Sequence, residues 1–121
     1  MARISPGHIQ IITPLNHLKT TMTHSVYFWL RDDLSAEDSA TFESELLKLP
    51  SIESVKTGHI AKSAGTPERP VTDKSFSYYL HLEFDSVDAH NAYQVDPAHD
   101  HFVDSCKTMW EKVVIYDTEA L

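Results

Sequence analysis

Cysteine is almost missing from this chain: Cys106 stands alone. That excludes an internal disulfide framework and a zinc site built only from cysteines. Basic residues are scarce too. Ten Lys and Arg face eighteen Asp and Glu, for a net charge of −8. That balance argues against nucleic acid and against an anionic membrane as partners. Long apolar runs are also lacking. The run Val26-Tyr27-Phe28-Trp29-Leu30 falls far short of the ~20 residues a helix needs to cross a bilayer. The stretch 9–15 is broken by Gln10, Thr13 and Pro14, so it forms no signal-peptide core. A cytoplasmic location is the expectation.

What is present is ordinary for a globular protein. The chain has 121 residues, 41% hydrophobic and 23% charged. That is one domain, long enough to bury a core without staples. Eight histidines would offset the whole net charge if all were protonated, so solubility should fall on acidification through about 6.5. Residues 1–21, punctuated by Pro6, Gly7 and Pro14, read as an N-terminal arm. Such an arm, where ordered, needs a surface to lie on, its own domain or a partner subunit. Residues 22–121 read as the domain.

The stretch 23–31 has the composition of a strand. His24, Val26, Phe28 and Leu30 share one face, and Tyr27 and Trp29 the other. Ser35 is a good N-cap, followed by Glu37 and Asp38 in the first turn, and Pro50 stops the helix. A weaker strand is expected over 53–61, then a loop over 62–74 containing Gly65, Pro67 and Pro70. The clearest alternation runs over 75–84, with Phe76, Tyr78, Leu80, Leu82 and Phe84 on one side. Ser86 begins a second helix, and Asp96-Pro97 breaks it and restarts it. The last strand is expected over 112–117. The order β-α-β-β-α-β is ferredoxin-like, an α+β fold. Because the first strand is apolar on both faces, a second sheet is expected against the first. A symmetric homodimer supplies one.

Several short runs carry a family resemblance. They are Thr23-His24-Ser25-Val26 with Phe28, Leu49-Pro50-Ser51-Ile52, Leu82-Glu83-Phe84-Asp85-Ser86, Tyr93-Gln94-Val95-Asp96-Pro97-Ala98-His99 with Phe102, and Trp110-Glu111-Lys112. Over about 22–118 the chain resembles the stress-responsive dimeric α/β-barrel (Dabb) family. The resemblance implies a ferredoxin-like domain that pairs into a dimeric α/β barrel. One member it resembles is the plant polyketide cyclase that makes olivetolic acid, which uses a His-Tyr pair and no cofactor. Carried over by motif, its catalytic histidine falls on His99, its tyrosine on Tyr93 and its first-strand histidine on His24. A further histidine of that enzyme falls on Tyr78, which departs from its pattern.

The residues themselves leave two functions open. Helical spacing puts His99 inward with Phe102 and Val103, and His101 outward. Tyr93 and His99 would stand about 120° apart on an unbroken helix, but the break at Asp96-Pro97 is able to turn one toward the other. A phenol and an imidazole facing one cavity can polarise a carbonyl and remove a proton beside it. His24, Phe28 and Tyr78 are then the candidate substrate-binding residues, and the ligand a small hydrophobic or aromatic one. Alternatively, His99 is a core histidine, Tyr93 is packing, and the protein is a stress-related or small-molecule-binding homodimer. Nothing in the residues selects the cofactor-free monooxygenase chemistry of the same general fold. No cofactor is expected, and no metal, because no metal-ligand spacing of histidines is visible. Cys106 falls within the apolar stripe, as a packing thiol.

Overall fold

The computed structural model describes residues 21–121. The arm expected over 1–21 lies outside the described residues, apart from Thr21. Four strands and three helices follow in the order β1 (Met22–Leu30), α1 (Ala36–Leu46), β2 (Thr57–Ala61), β3 (Tyr78–Phe84), α2 (Val87–Gln94), α3 (Pro97–Cys106) and β4 (Trp110–Glu119). The sheet runs β2-β3-β1-β4, and every neighbouring pair is antiparallel. This is the ferredoxin-like α+β architecture that the element order predicts. Among the described residues no helix is long and apolar enough to cross a membrane.

Strand β1 alternates as its sequence dictates. Met22, His24, Val26 and Phe28 are buried under the helices, and Thr23, Ser25, Tyr27 and Trp29 stand half-buried on the opposite face. Helix α1 is capped by Ser35, whose Oγ accepts from the Asp38 amide at 3.0 Å. It ends at Leu46, ahead of Pro50, which sits instead in a short 3-10 turn, Leu49–Ser51. Helix α3 starts where expected. The Asp96 carboxylate accepts from the Ala98 amide at 2.8 Å, and Pro97 occupies the first turn, where its missing N–H costs nothing.

Three strands differ by two or more residues from the sequence expectation. β2 begins at Thr57, because the preceding residues turn on themselves, with the Val55 amide donating to the Ile52 carbonyl at 2.9 Å. β3 begins at Tyr78, because 75–77 are held by side chains: Trp29 Nε1 donates to Ser75 Oγ and the Leu30 amide to Ser77 Oγ, both at 2.9 Å. β4 is longer than expected. It pairs with β1 along its whole length, from Met22↔Glu119 to Leu30↔Trp110.

The core lies between one sheet face and the helices. Phe28, Phe42, Phe102 and Trp110 pack ring to ring at 5.3 to 6.4 Å. Such pairs contribute about 0.5–1.5 kcal/mol each beyond their burial. Cys106 is fully buried among them, and burial pushes its thiol up to about 11, as a packing thiol requires. The other sheet face carries a second aromatic group, with Tyr27 stacked on Tyr79 at 4.8 Å and against Phe76 at 5.1 Å.

Edge strand β2 approaches the core closely at Gly58. A Cβ there would lie 2.6 Å from Leu82 Cδ2, 2.8 Å from the His81 carbonyl oxygen and 3.4 Å from Pro50 Cβ. The carbonyl belongs to the ladder and has no room to move. Gly58→Ala should therefore destabilise the fold by roughly 1–3 kcal/mol in chemical denaturation. Gly65→Ala, with open space around it, should stay within about 0.5 kcal/mol of the parent.

Candidate functional site

A cavity of about 180 Å³ opens between the sheet and helices α2 and α3. β1 supplies His24, Val26 and Phe28, the end of α2 supplies Tyr93 and Gln94, and α3 supplies His99, Phe102 and Val103. The Asp96-Pro97 break decides the geometry. It separates α2 from α3, so that the Tyr93 and His99 rings meet edge to face, 4.9 Å between centroids and 69° between planes. The His24 ring lies 5.9 Å from Tyr93, also edge to face. Three of the residues singled out from sequence as polar site groups thus converge on one space, walled by Phe28.

Tyr78 is not part of it. The side chain shares the helix-facing side of β3 with Leu80 and Leu82, but it lies at the start of the strand and turns toward α1. Its ring packs against Phe42 at 5.4 Å, and its hydroxyl donates to Glu43 Oε1 at 2.7 Å. Burial, with the neighbouring Glu43 carboxylate, pushes its phenol up to about 12. The substrate-binding expectation for Tyr78 therefore finds no support in its position.

The electrostatics of the cavity favour neutral groups. Burial holds the His99 imidazole below its usual pKa, against the opposing pull of Asp100. Burial lowers His24 as well, although Asp117 opposes it by accepting a hydrogen bond from Nδ1 at 2.6 Å. Tyr93 is 1% exposed, and burial raises its phenol above the ordinary value. His99 Nδ1 is buried with no hydrogen-bond partner in the protein. A bare buried nitrogen costs about 1–3 kcal/mol, and a ligand with a polar hydrogen removes that cost.

The opposite sheet face holds a wider, open cleft of about 430 Å³, lined by Tyr27, Trp29, Phe76, Tyr79 and Tyr116, with Lys112 Nζ 4.5 Å over the Trp29 ring. Of the two histidines on this face, His59 is exposed and stacks on His81 at 4.7 Å, and His81 is fully engaged. His81 Nδ1 bonds the Tyr79 hydroxyl at 2.8 Å, and its Nε2 bonds Glu83 at 2.9 Å. The cavity beneath the helices, with its unengaged imidazole, is the better candidate for chemistry.

Two residues around His24 escape a reading of the sequence. Asp117, its partner, stands directly opposite it in the β1–β4 ladder. His90 brings its ring within 4.8 Å of it. Asp117 would follow from the strand register, had the sequence supplied it. Nothing local to His90 marks it.

Comparison with known proteins identifies the fold and the family. None of the curated proteins matches the chain at a significant level. Among solved structures, a hydroxynitrile lyase from Passiflora edulis superposes with a TM-score of 0.70 at 16% identity, over 85% of this chain and 95% of that one. A Dabb family protein with a ferredoxin-like fold from Mesorhizobium loti gives 0.68 at 22%, over 84% and 97%. A dimeric ferredoxin-like protein from Thermobifida fusca gives 0.67 at 20%, over 84% and 91%. At these identities the likeness is one of fold. The sequence model of the stress responsive A/B barrel domain matches residues 22–120, and the chain therefore belongs to the Dabb family.

Proposed function

We propose that this protein is a cofactor-independent acid–base enzyme, of the lyase or cyclase kind, acting on a small ring compound with a hydroxyl or carbonyl group. The observation that carries the reading is the bare, buried His99 Nδ1 beside the Tyr93 ring in the cavity between sheet and helices. A neutral imidazole is the form that accepts a proton, and burial favours it here. Tyr93, kept protonated by the same burial, is a donor for a substrate oxygen. His24 is oriented by Asp117 and adds a second polar group to the wall.

In the lyase direction His99 takes the proton of a substrate hydroxyl. The O–H electrons form a carbonyl, the adjacent C–C bond breaks, and its electron pair leaves with the departing carbon, which takes up the proton. Tyr93 steadies the oxygen throughout. Cyclisation uses the same groups to deprotonate a carbon beside a carbonyl. Cavity size favours the smaller of these substrates. An apolar cavity of about 150 Å³ holds a benzene ring, so 180 Å³ accommodates one ring with a small substituent rather than a folded polyketide. The Passiflora neighbour is a hydroxynitrile lyase, which is consistent with the smaller substrate. A second reading is favoured by the apolar lining of Val26, Phe28, Leu80, Phe102 and Val113: a homodimer that binds such a ligand without turnover.

We also propose that two copies pack sheet to sheet, as a dimeric α/β barrel. The half-buried Tyr27, Trp29 and Tyr79 and the exposed Tyr116 make one aromatic face suited to a twofold partner. Similar structures are described as dimeric.

Four outcomes are expected. In a thermal-shift screen, single-ring aldehydes and hydroxynitriles should raise the Tm. For a substrate so found, His99→Ala should cost about 10²–10⁴-fold in rate, Tyr93→Phe should slow turnover with little loss of stability, and His101→Ala should be silent. Full activity of His99→Ala would remove the base, and binding without turnover would favour the second reading.

The pH dependence of stability follows from the two lowered imidazoles. Their folded pKa values lie below the unfolded value of about 6.5, so the unfolded chain takes up protons first. Their contribution is present above about 6.5 and lost as pH falls from there through the folded values. The Tm should drop in that range, and less steeply in His99→Asn.

For assembly, sedimentation should give twice 13.7 kDa for the parent chain. Tyr116→Glu should shift it toward the monomer. A parent chain that sediments as a monomer would overturn the barrel.

A further inference from the structure

We propose that His24, His90 and Asp117 form a binding site for one divalent transition-metal ion, zinc or a close relative, that ties β1, α2 and β4 together. One ligand atom from each of the three side chains lies within 4.8 Å of the other two, and among the described residues no other group of histidine, cysteine and acid side chains converges in this way. The three come from different elements. His24 and Asp117 face each other across the β1–β4 ladder, with Nδ1 and Oδ1 2.6 Å apart. His90 arrives from α2, its ring 4.8 Å from that of His24 and set edge-on against Phe84 at 5.5 Å.

The site has a floor and a mouth. His24 is buried, His90 is half-buried and Asp117 is exposed. A groove of about 230 Å³, lined by Met22, His90, Asn91, Asp117 and Glu119 among others, reaches His90 and Asp117 from outside. An ion therefore has an entry path and room for water in its remaining positions. Two imidazoles and one carboxylate suit zinc, cobalt or iron, whereas magnesium and calcium prefer oxygen ligands only. Metal–ligand bonds of about 2.0–2.2 Å require the three atoms to draw closer. His90 and Asp117, the less buried of the three, make that rotation, and His90 exchanges its contacts with Asn91 Oδ1 at 3.0 Å and Gln94 Nε2 at 3.4 Å for the ion. The ion then replaces the hydrogen between His24 and Asp117. A net charge of −8 attracts a cation. The site shares His24 with the cavity but does not depend on turnover there.

The test uses the full-length chain, stripped with chelator. Zn²⁺ is titrated by calorimetry and Co²⁺ by its visible absorption. One ion per chain is expected, together with a rise in Tm that chelator reverses. His90→Ala and Asp117→Asn should each weaken binding by at least about tenfold. Both alter side chains that are at most half-buried, and their metal-free Tm and circular dichroism check that they fold. His59→Ala and His101→Ala should bind as the parent does. Substoichiometric binding, or equal affinity of the parent, His90→Ala and Asp117→Asn, would assign any bound metal to scattered surface histidines and overturn the site.

Discussion

Strand β1 is the member to which the rest of the domain is registered. It sits inside the sheet, paired with β3 on one side and β4 on the other. Its side chains alternate strictly between faces, so one choice of register sends His24, Val26 and Phe28 to the helices and Tyr27 and Trp29 to the opposite side. A slip of one residue would exchange the two sets. Phe28 then anchors the ring cluster that seats α1 and α3, and His24 enters the cavity at a depth set by the same ladder.

The second constraint is the Asp96-Pro97 break. A continuous helix from 87 to 106 would carry Tyr93 and His99 on different faces. Pro97 prevents continuation, and the Asp96 side chain caps the new helix, so the chain redirects within two residues. The result is two rings meeting at 4.9 Å. The cap and the proline are local and inexpensive devices, yet they create the one pairing on which the acid–base reading rests.

Buried polar groups are where this fold departs from a simple core. His24 is compensated by Asp117, whereas His99 Nδ1 is left bare. Folding for stability alone favours apolar residues at both positions. Both imidazoles open on the same cavity, and His24 reaches as well toward His90 and Asp117 on the other side. It lines the cavity on one side and bonds Asp117, which lines the outer groove, on the other.

Much of this was legible in the residues. Period-two alternation in β1 and β3, the Ser35, Ser86 and Asp96 caps, and the inward His99 all follow from backbone sterics and local hydrogen bonding, which act over a few residues. The motif around Pro97 and His99 carried the family and the Tyr93–His99 pairing. Other features depended on how distant segments meet. Tyr78 has the right strand face but the wrong end, because Phe42 and Glu43 of α1 claim its ring and hydroxyl. The start of β3 was set by serine side chains bonding across to β1, and the length of β4 by its partner. Asp117 and His90 became neighbours of His24 only through the β1–β4 register and the seating of α2. Local sequence determined which elements form and which face each one buries; tertiary packing decided which side chains from remote elements touch, because that contact depends on register and docking that no short stretch encodes.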